Sequence, residues 1–170
     1  IERNKGDNPW ALVLSWGPPH DPYHDVPQPY LDLYKDLDVQ LRENVPETIT
    51  ATKTKTLTRR QIVENHKGYY AHITALDEQF GRLVSTLEQT GQLDNTIIVY
   101  TSDHGDMLGS QGLTNKQLPY EESIKVPLIV YWKGRTLNIT RKELIGLADL
   151  PVSLLGWIGL TFSNPVDGTD

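Results

Sequence analysis

Apolar residues fall along the chain in a few runs of distinct period, separated by polar and proline-rich stretches. The first run, Trp10–Trp16 (WALVLSW), is continuous and closed by Gly17-Pro18-Pro19. A short apolar run ended by turn residues predicts a buried strand. The next stretch, HDPYHDVPQPYLDLY, mixes prolines with polar residues, which predicts a long surface loop with helix no earlier than Tyr30–Leu37. Loops of this length are uncommon in compact domains and often carry function.

The clearest periodicity follows. Thr58-Arg59-Arg60-Gln61 has the spacing of a capping box, a hydroxyl with a glutamine three residues on. Behind it Tyr69, Ile73, Leu76, Phe80, Leu83 and Leu87 recur at alternating steps of four and three, which predicts one apolar face of a long helix. Gly91 is placed to end it, and Gly68 is a weak point inside it. Thr96–Ser102 (TIIVYTS) and Pro127–Trp132 (PLIVYW) are apolar and β-branched without polar alternation, which predicts strands covered on both faces. Asp149 is expected to cap a helix over Val152–Trp157, with Pro151 tolerated in its first turn. Strand, loop, long helix, strand, loop, strand and helix together predict an α/β fold with a central, mostly parallel sheet flanked by helices.

Composition narrows the classes. The 170 residues fit one domain, and 38% hydrophobic with 22% charged residues is a globular balance. Sixteen basic against twenty-two acidic residues give a net charge of −6, which disfavours non-specific binding to nucleic acid or to an anionic membrane. No stretch approaches the ~20 apolar residues of a membrane span. Cysteine is absent, so the chain holds no disulfide, thiolate metal site or cysteine nucleophile. The basic stretch 51–60, ATKTKTLTRR, lacks apolar periodicity and reads as a solvated connector.

Two expected strand ends carry conspicuous polar residues, the first near His20 and the second at Thr101-Ser102-Asp103-His104-Gly105-Asp106. In open α/β sheets ligands bind beyond the carboxyl ends of the strands. Asp is a hard oxygen ligand and His a common nitrogen ligand. Neighbours on a regular strand point to opposite faces, so Asp103 and His104 can share an ion only where the chain turns, and Gly105 permits the backbone angles for that. Lys116 is a compact cation suited to a sulfate or phosphate oxyanion. His20 changes charge near neutrality and can protonate a leaving group. Each has a plainer reading too: a polar turn, a surface lysine, a loop histidine. His24 and Asp25 lie close by. Packing or solvation accounts for His66 and His72, and Asp106, Glu121 and Glu122 are either outer supports or solvated charges.

In order along the chain, SWGPPHDPY, then GYYAHITALDEQFGRLVSTLEQTGQLDNTIIVYTSDHGDMLGSQG, NKQLPYEESIKVPLIVYWKG, LADLPVSLLGWIGL and PVDGTD resemble the sulfatase branch of the alkaline-phosphatase superfamily. The resemblance covers nearly the whole chain and is weakest over 38–57. It implies an alkaline-phosphatase-like partial domain spanning 1–170. Asp103 and His104 match the paired metal ligands, many sulfatases having Asn in place of this His. Lys116 matches the lysine that holds the sulfate and leaving-group side, and His20 a histidine that contacts the ester and assists departure. The implied metal is Ca²⁺, with the imidazole leaving room for Mn²⁺ or Zn²⁺.

The family's nucleophile is a formylglycine made from a Cys/Ser-x-Pro-x-Arg motif, and neither that motif nor the family's upstream Asp-Asp pair occurs here. The chain is thus expected to be the middle and later part of a sulfatase catalytic domain, inactive alone, with the formylglycine outside it. The resemblance implies a sulfate ester substrate, with sulfated carbohydrate as one class, and an extracytoplasmic location. Two rivals stay open. One is a single-metal phosphodiesterase or phosphonate monoester hydrolase of the same superfamily; the two-metal members need a further His, and none follows His104. The other is a non-catalytic module that binds sulfated glycans.

Overall fold

A computed structural model describes residues 1–4, 6, 8–51 and 55–170. The chain forms two compact units, Ile1–Lys133 and Gly134–Asp170.

The first unit is organised by its long helix. A short helix α1 (Gln28–Asp32) comes first, earlier than expected, with Pro29 in its first turn. Strands β1 (Thr48–Thr50) and β2 (Thr56–Thr58) then form an antiparallel pair in the register Thr48↔Thr58. Each buries its central residue and exposes the flanking threonines, as period-two geometry requires. Thr56–Thr58 therefore belongs to a strand and not to a solvated connector; its alternation is only three residues long and leaves no periodicity to read. Residues 52–54 of the expected connector lie outside the described residues.

Helix α2 (Arg59–Gln89) begins at the expected capping box. The Gln61 amide donates to the Thr58 hydroxyl at 3.3 Å and the Thr58 amide donates to Gln61 Oε1 at 2.9 Å, so two amides at the helix start are satisfied. It ends at Gly91, whose φ of +71° is natural for glycine. The Gln92 amide reaches the Leu87 carbonyl at 2.8 Å and the Gly91 amide the Glu88 carbonyl at 2.9 Å, a Schellman ending.

The buried side of α2 differs from the one its large residues predict. Ile62, Gly68, Ala71, His72 and Leu87 are buried, whereas Ile73 is 40% exposed. The reason is close backbone approach. A Cβ on Gly68 would stand 2.2 Å from the Tyr23 carbonyl oxygen, so the loop around Tyr23 lies directly on the helix at its small residues. Gly68 is thus a seat, not a weak point. The core of the unit is the cluster Val45, Ile49, Leu57 and Ile62, between the hairpin and the first turns of α2.

Strands β3 (Ile98–Thr101) and β4 (Leu128–Tyr131) flank α3 (Glu121–Ile124) in sequence. Both strands were expected, but their pairing is antiparallel, in the register Ile98↔Tyr131. The α/β class stands, while both described strand pairs are antiparallel, and among the described residues the parallel contact is the isolated bridge Thr50↔Leu113. An apolar run encodes burial and not direction. Coverage also differs: β3 is half-buried, and Ile129 in β4 is 60% exposed. The expected strand Trp10–Trp16 has no regular secondary structure and pairs with no described strand, and Val13 is 89% exposed. A strand exists only through its ladder, so an apolar segment without a partner registers as irregular chain.

In the second unit α4 (Asp149–Trp157) is the regular element. Asp149 is its first helical residue and not its cap, which is Ala148. The Asp149 carboxylate instead accepts from the Gly146 amide at 2.8 Å and the Thr169 amide at 2.9 Å, closing the C-terminal segment onto the start of α4. These two amides hold the Asp149 carboxyl below the usual aspartate range. Pro151 occupies the first turn as expected.

Candidate active site

A cleft of about 510 Å³ lies between the loop 15–25 and the chain leaving β3. His20, Asp103 and His104 line it, together with Asp21, Tyr69, His72 and Asp106. Lys116 joins them at His20: its ammonium lies against His20 Nε2, across 96 residues of sequence. The four residues singled out from the sequence therefore meet at one place.

The hydrogen bonds of His20 define its state. Nδ1 faces Asp21 twice, the carboxylate at 2.7 Å and the backbone oxygen at 2.8 Å, so Nδ1 carries a proton. Nε2, facing the ammonium donor of Lys116, then presents its lone pair. Lys116 is held in place by its own loop. Asn115 and Gln117 on either side have φ of +66° and +72°, uncommon for residues other than glycine, and the Asn115 carbonyl accepts from the Met107 amide at 2.7 Å.

Asp103 and His104 do turn toward each other where β3 ends. His104 Nδ1 donates to the Gly105 carbonyl at 2.8 Å, which leaves the lone pair on Nε2, and Nε2 lies 3.4 Å from Asp103 Oδ2. The Asp103 side chain is 82% exposed, and the Ser102 hydroxyl braces the turn by donating to the His104 carbonyl at 2.9 Å. The role of Gly105 differs from the expected one. Its φ is not positive; a Cβ there would stand 2.1 Å from the Glu122 carbonyl oxygen, and its amide donates to the Ser123 carbonyl at 2.8 Å. Gly105 is required for space, because the turn packs against α3.

One oxygen and one imidazole nitrogen at that separation fit two neighbouring positions around a divalent cation. Among the described residues no three His, Asp or Glu side chains converge to hold a metal, so a full coordination shell needs donors beyond these two.

Around these four stand residues whose contacts the sequence left open. The Tyr23 hydroxyl donates to Asp106 Oδ2 at 2.8 Å beneath the cleft, and burial followed by the Asp106 charge pushes the Tyr23 phenol far above its ordinary range. Tyr69 packs its ring 6.2 Å from that of Tyr23, and burial raises its phenol as well. His72 is buried, with Nε2 at 3.4 Å from the Pro22 carbonyl. His66 stands apart: its Nδ1 donates to the Ile62 carbonyl at 2.9 Å, and burial lowers its pKa. Glu122 and Glu121 are structural charges. The first accepts from Asn44 and Arg42, both at 3.0 Å, and the second pairs with Lys125 at 3.3 Å.

Comparison with known proteins bears on what these residues are for. The family model described as sulfatase matches residues 1–160. The chain belongs to the sulfatase family. It is 34% identical over 170 residues to an ulvan-active sulfatase of Formosa agariphila, an alignment that takes in 98% of this chain and 32% of the relative. A solved sulfatase-like protein of Bacteroides fragilis superposes with a TM-score of 0.82 at 36% identity, covering 94% of this chain and 34% of that one. A phosphonate monoester hydrolase of Silicibacter pomeroyi superposes less completely, with a TM-score of 0.63 at 33% identity over 66% of this chain and 22% of its own. These neighbours have the alkaline-phosphatase-like fold, of which this sulfatase segment is a partial α/β domain. The chain spans about a third of the length of the sulfatases it matches.

Proposed function

We propose that this chain is part of a sulfuric ester hydrolase, and that the cleft between the His20 loop and the end of β3 is where the sulfate ester sits. The observation that carries the reading is the meeting of Lys116 with His20 beside the Asp103–His104 turn. Two independently placed basic groups and a carboxylate–imidazole pair at one cleft suit a tetrahedral anion and a hard cation. Both structural units, residues 1–170, are assigned to one partial catalytic domain, a reading supported by a family match that runs from 1 to 160.

The roles follow from the donors. Lys116 directs its ammonium at a sulfate oxygen or the bridging ester oxygen. His20 keeps its Nδ1 proton against Asp21, so the form that acts as the acid is the one carrying a second proton, on Nε2. From Nε2 that proton passes to the departing oxygen as the sulfur–oxygen bond breaks. Asp103 and His104 would hold the metal, Ca²⁺ in the first instance with Mn²⁺ or Zn²⁺ as alternatives; when bound it neutralises charge on the sulfate oxygens. The nucleophile, a formylglycine in the family, has no counterpart among these 170 residues, so the segment by itself is expected to be inactive. Sulfated carbohydrate is the proposed substrate class, in line with the name of the ulvan-active relative. The proposed location is extracytoplasmic. No described helix is long and apolar enough to cross a membrane.

The similarity to a phosphonate monoester hydrolase supports a second reading, hydrolysis of a phosphonate or phosphate ester in the same cradle, since both substrates are tetrahedral anions. Substitution in the complete polypeptide that carries this segment tests the site. Lys116→Ala is expected to lower kcat on an aryl sulfate about 10²–10³-fold, as loss of a preorganised donor does. Unchanged turnover would remove Lys116, and with it this cleft, from the reaction.

A further inference from the structure

We propose, on the basis of the sulfatase reading above, that Tyr23 and Asp106 are positioning residues whose hydrogen bond couples the leaving-group loop to the metal-side turn. Tyr23 lies three residues after His20 and Asp106 two residues after His104. The Tyr23 hydroxyl and Asp106 Oδ2 meet at 2.8 Å although the residues are 83 apart in sequence. One bond therefore ties together the two segments that supply the chemistry.

Each end of this bond is itself fixed. On the Tyr23 side, the residue is 8% exposed and its ring packs on Tyr69. The Tyr23 backbone rests on Gly68, where no Cβ would fit, and His72 approaches the Pro22 carbonyl. The loop between Gly17 and Asp25 is closed by two turns, the His20 amide donating to the Gly17 carbonyl at 3.1 Å and the Asp25 amide to the Pro22 carbonyl at 3.0 Å. On the other side, Asp106 uses both oxygens. Oδ2 takes the phenol, and Oδ1 takes the Leu108 amide at 2.9 Å. Leu108 has a φ of +42°, a conformation that costs free energy in a leucine and persists only when its surroundings hold it. Asp106 is thus committed at both oxygens to shaping the turn and gripping the loop, which distinguishes it from a merely solvated charge.

The tie acts through His20. Protonating a departing oxygen requires Nε2 within hydrogen-bond reach of it, and that reach is set by where the loop stands relative to the anion. In the step concerned, the oxygen nucleophile forms a new bond to sulfur. The bond from sulfur to the ester oxygen breaks with its electron pair on that oxygen, and the His20 proton neutralises it. An alkyl or sugar alkoxide needs that proton; a nitrophenolate is stable without it. Misplacing His20 therefore penalises poor leaving groups selectively, which a general loss of stability does not do.

The test uses the complete polypeptide carrying this segment, with 4-nitrophenyl sulfate and an alkyl sulfate as substrates. Tyr23→Phe is expected to lower kcat on the alkyl ester about tenfold, well within the range of general-acid assistance, with KM and turnover of the nitrophenyl ester little changed. Asp106→Asn keeps one acceptor oxygen for two donors, so it should give a smaller split in the same direction, and it provides the reading should the phenylalanine variant fold poorly. In a His20→Ala background Tyr23→Phe should add nothing, because the tie acts through the imidazole. Equal loss on both esters, or an undiminished effect of Tyr23→Phe without His20, overturns the proposal. If the unsubstituted enzyme cleaves neither ester, the sulfatase reading falls first and the proposal with it, an outcome visible before any substitution is made.

Discussion

The two strand pairs of the first unit are alike in length and unlike in surroundings. In β1–β2 the central residue of each strand is buried, and Ile49 with Leu57 joins Val45 and Ile62 in a closed cluster. In β3–β4 the residues other than Thr101 are apolar or aromatic, yet β4 leaves Leu128, Ile129 and Tyr131 exposed. The stronger hydrophobic signal in the sequence thus belongs to the less buried pair. Hydrophobicity states what a segment can bury; the neighbours supplied by the rest of the chain determine what it does bury. The turn Asp103–His104, proposed as the metal side of the site, extends from the more open of the two pairs, and its order comes from local contacts: Gly105 against α3, Asp106 against Tyr23.

That contrast can be broken by substitution. The largest expected effect is at the closed core: Ile62→Ala, at a fully buried position, should lower the unfolding free energy by about 2–5 kcal/mol in denaturant titration. A change below ~1 kcal/mol would mean that the cluster is not the core of this unit. Next comes the seat of the His20 loop. Gly68→Ala puts a methyl where the Tyr23 carbonyl stands and should cost about 1–3 kcal/mol by overpacking, while displacing the loop. Circular dichroism melting would read the loss, and a neutral result would deny the close approach. Ile129→Ala on the open pair should stay within ~0.5 kcal/mol. A cost like that at Ile62 would show this face covered in solution.

The smallest effect is a pH dependence in the second unit. The amides of Thr169 and Gly146 stabilise the ionised Asp149 carboxylate, so its folded pKa lies below its unfolded value. The stabilisation is complete above the ordinary aspartate pKa, near 3.8, and disappears as pH falls through the lower folded value. Asp149→Asn should therefore flatten the acid limb of a stability profile of this unit. A profile that keeps its acid limb would leave the carboxylate without a closing role.

Local signals in the sequence made α2 legible, because capping chemistry and the C-terminal glycine are set by neighbours a few residues away. The buried side of α2 was harder to read, since Gly68 and Ala71 are buried by the backbone that approaches them and not by their own bulk. Strand direction in β3–β4 was not legible, as an apolar run has no polarity along the chain. Of the site, Asp103, His104, Lys116 and His20 could be singled out by their order and chemistry. Their meeting, and the Tyr23–Asp106 bond beneath them, could not, because a contact across 83 residues leaves no local pattern.

The central claim is that this cleft is built for a sulfate ester. The direct measurement is kcat/KM of the complete polypeptide carrying this segment on a matched aryl sulfate and aryl phosphonate, under identical metal conditions. The account predicts preference for the sulfate. Preference for the phosphonate, or turnover of neither ester, would contradict it.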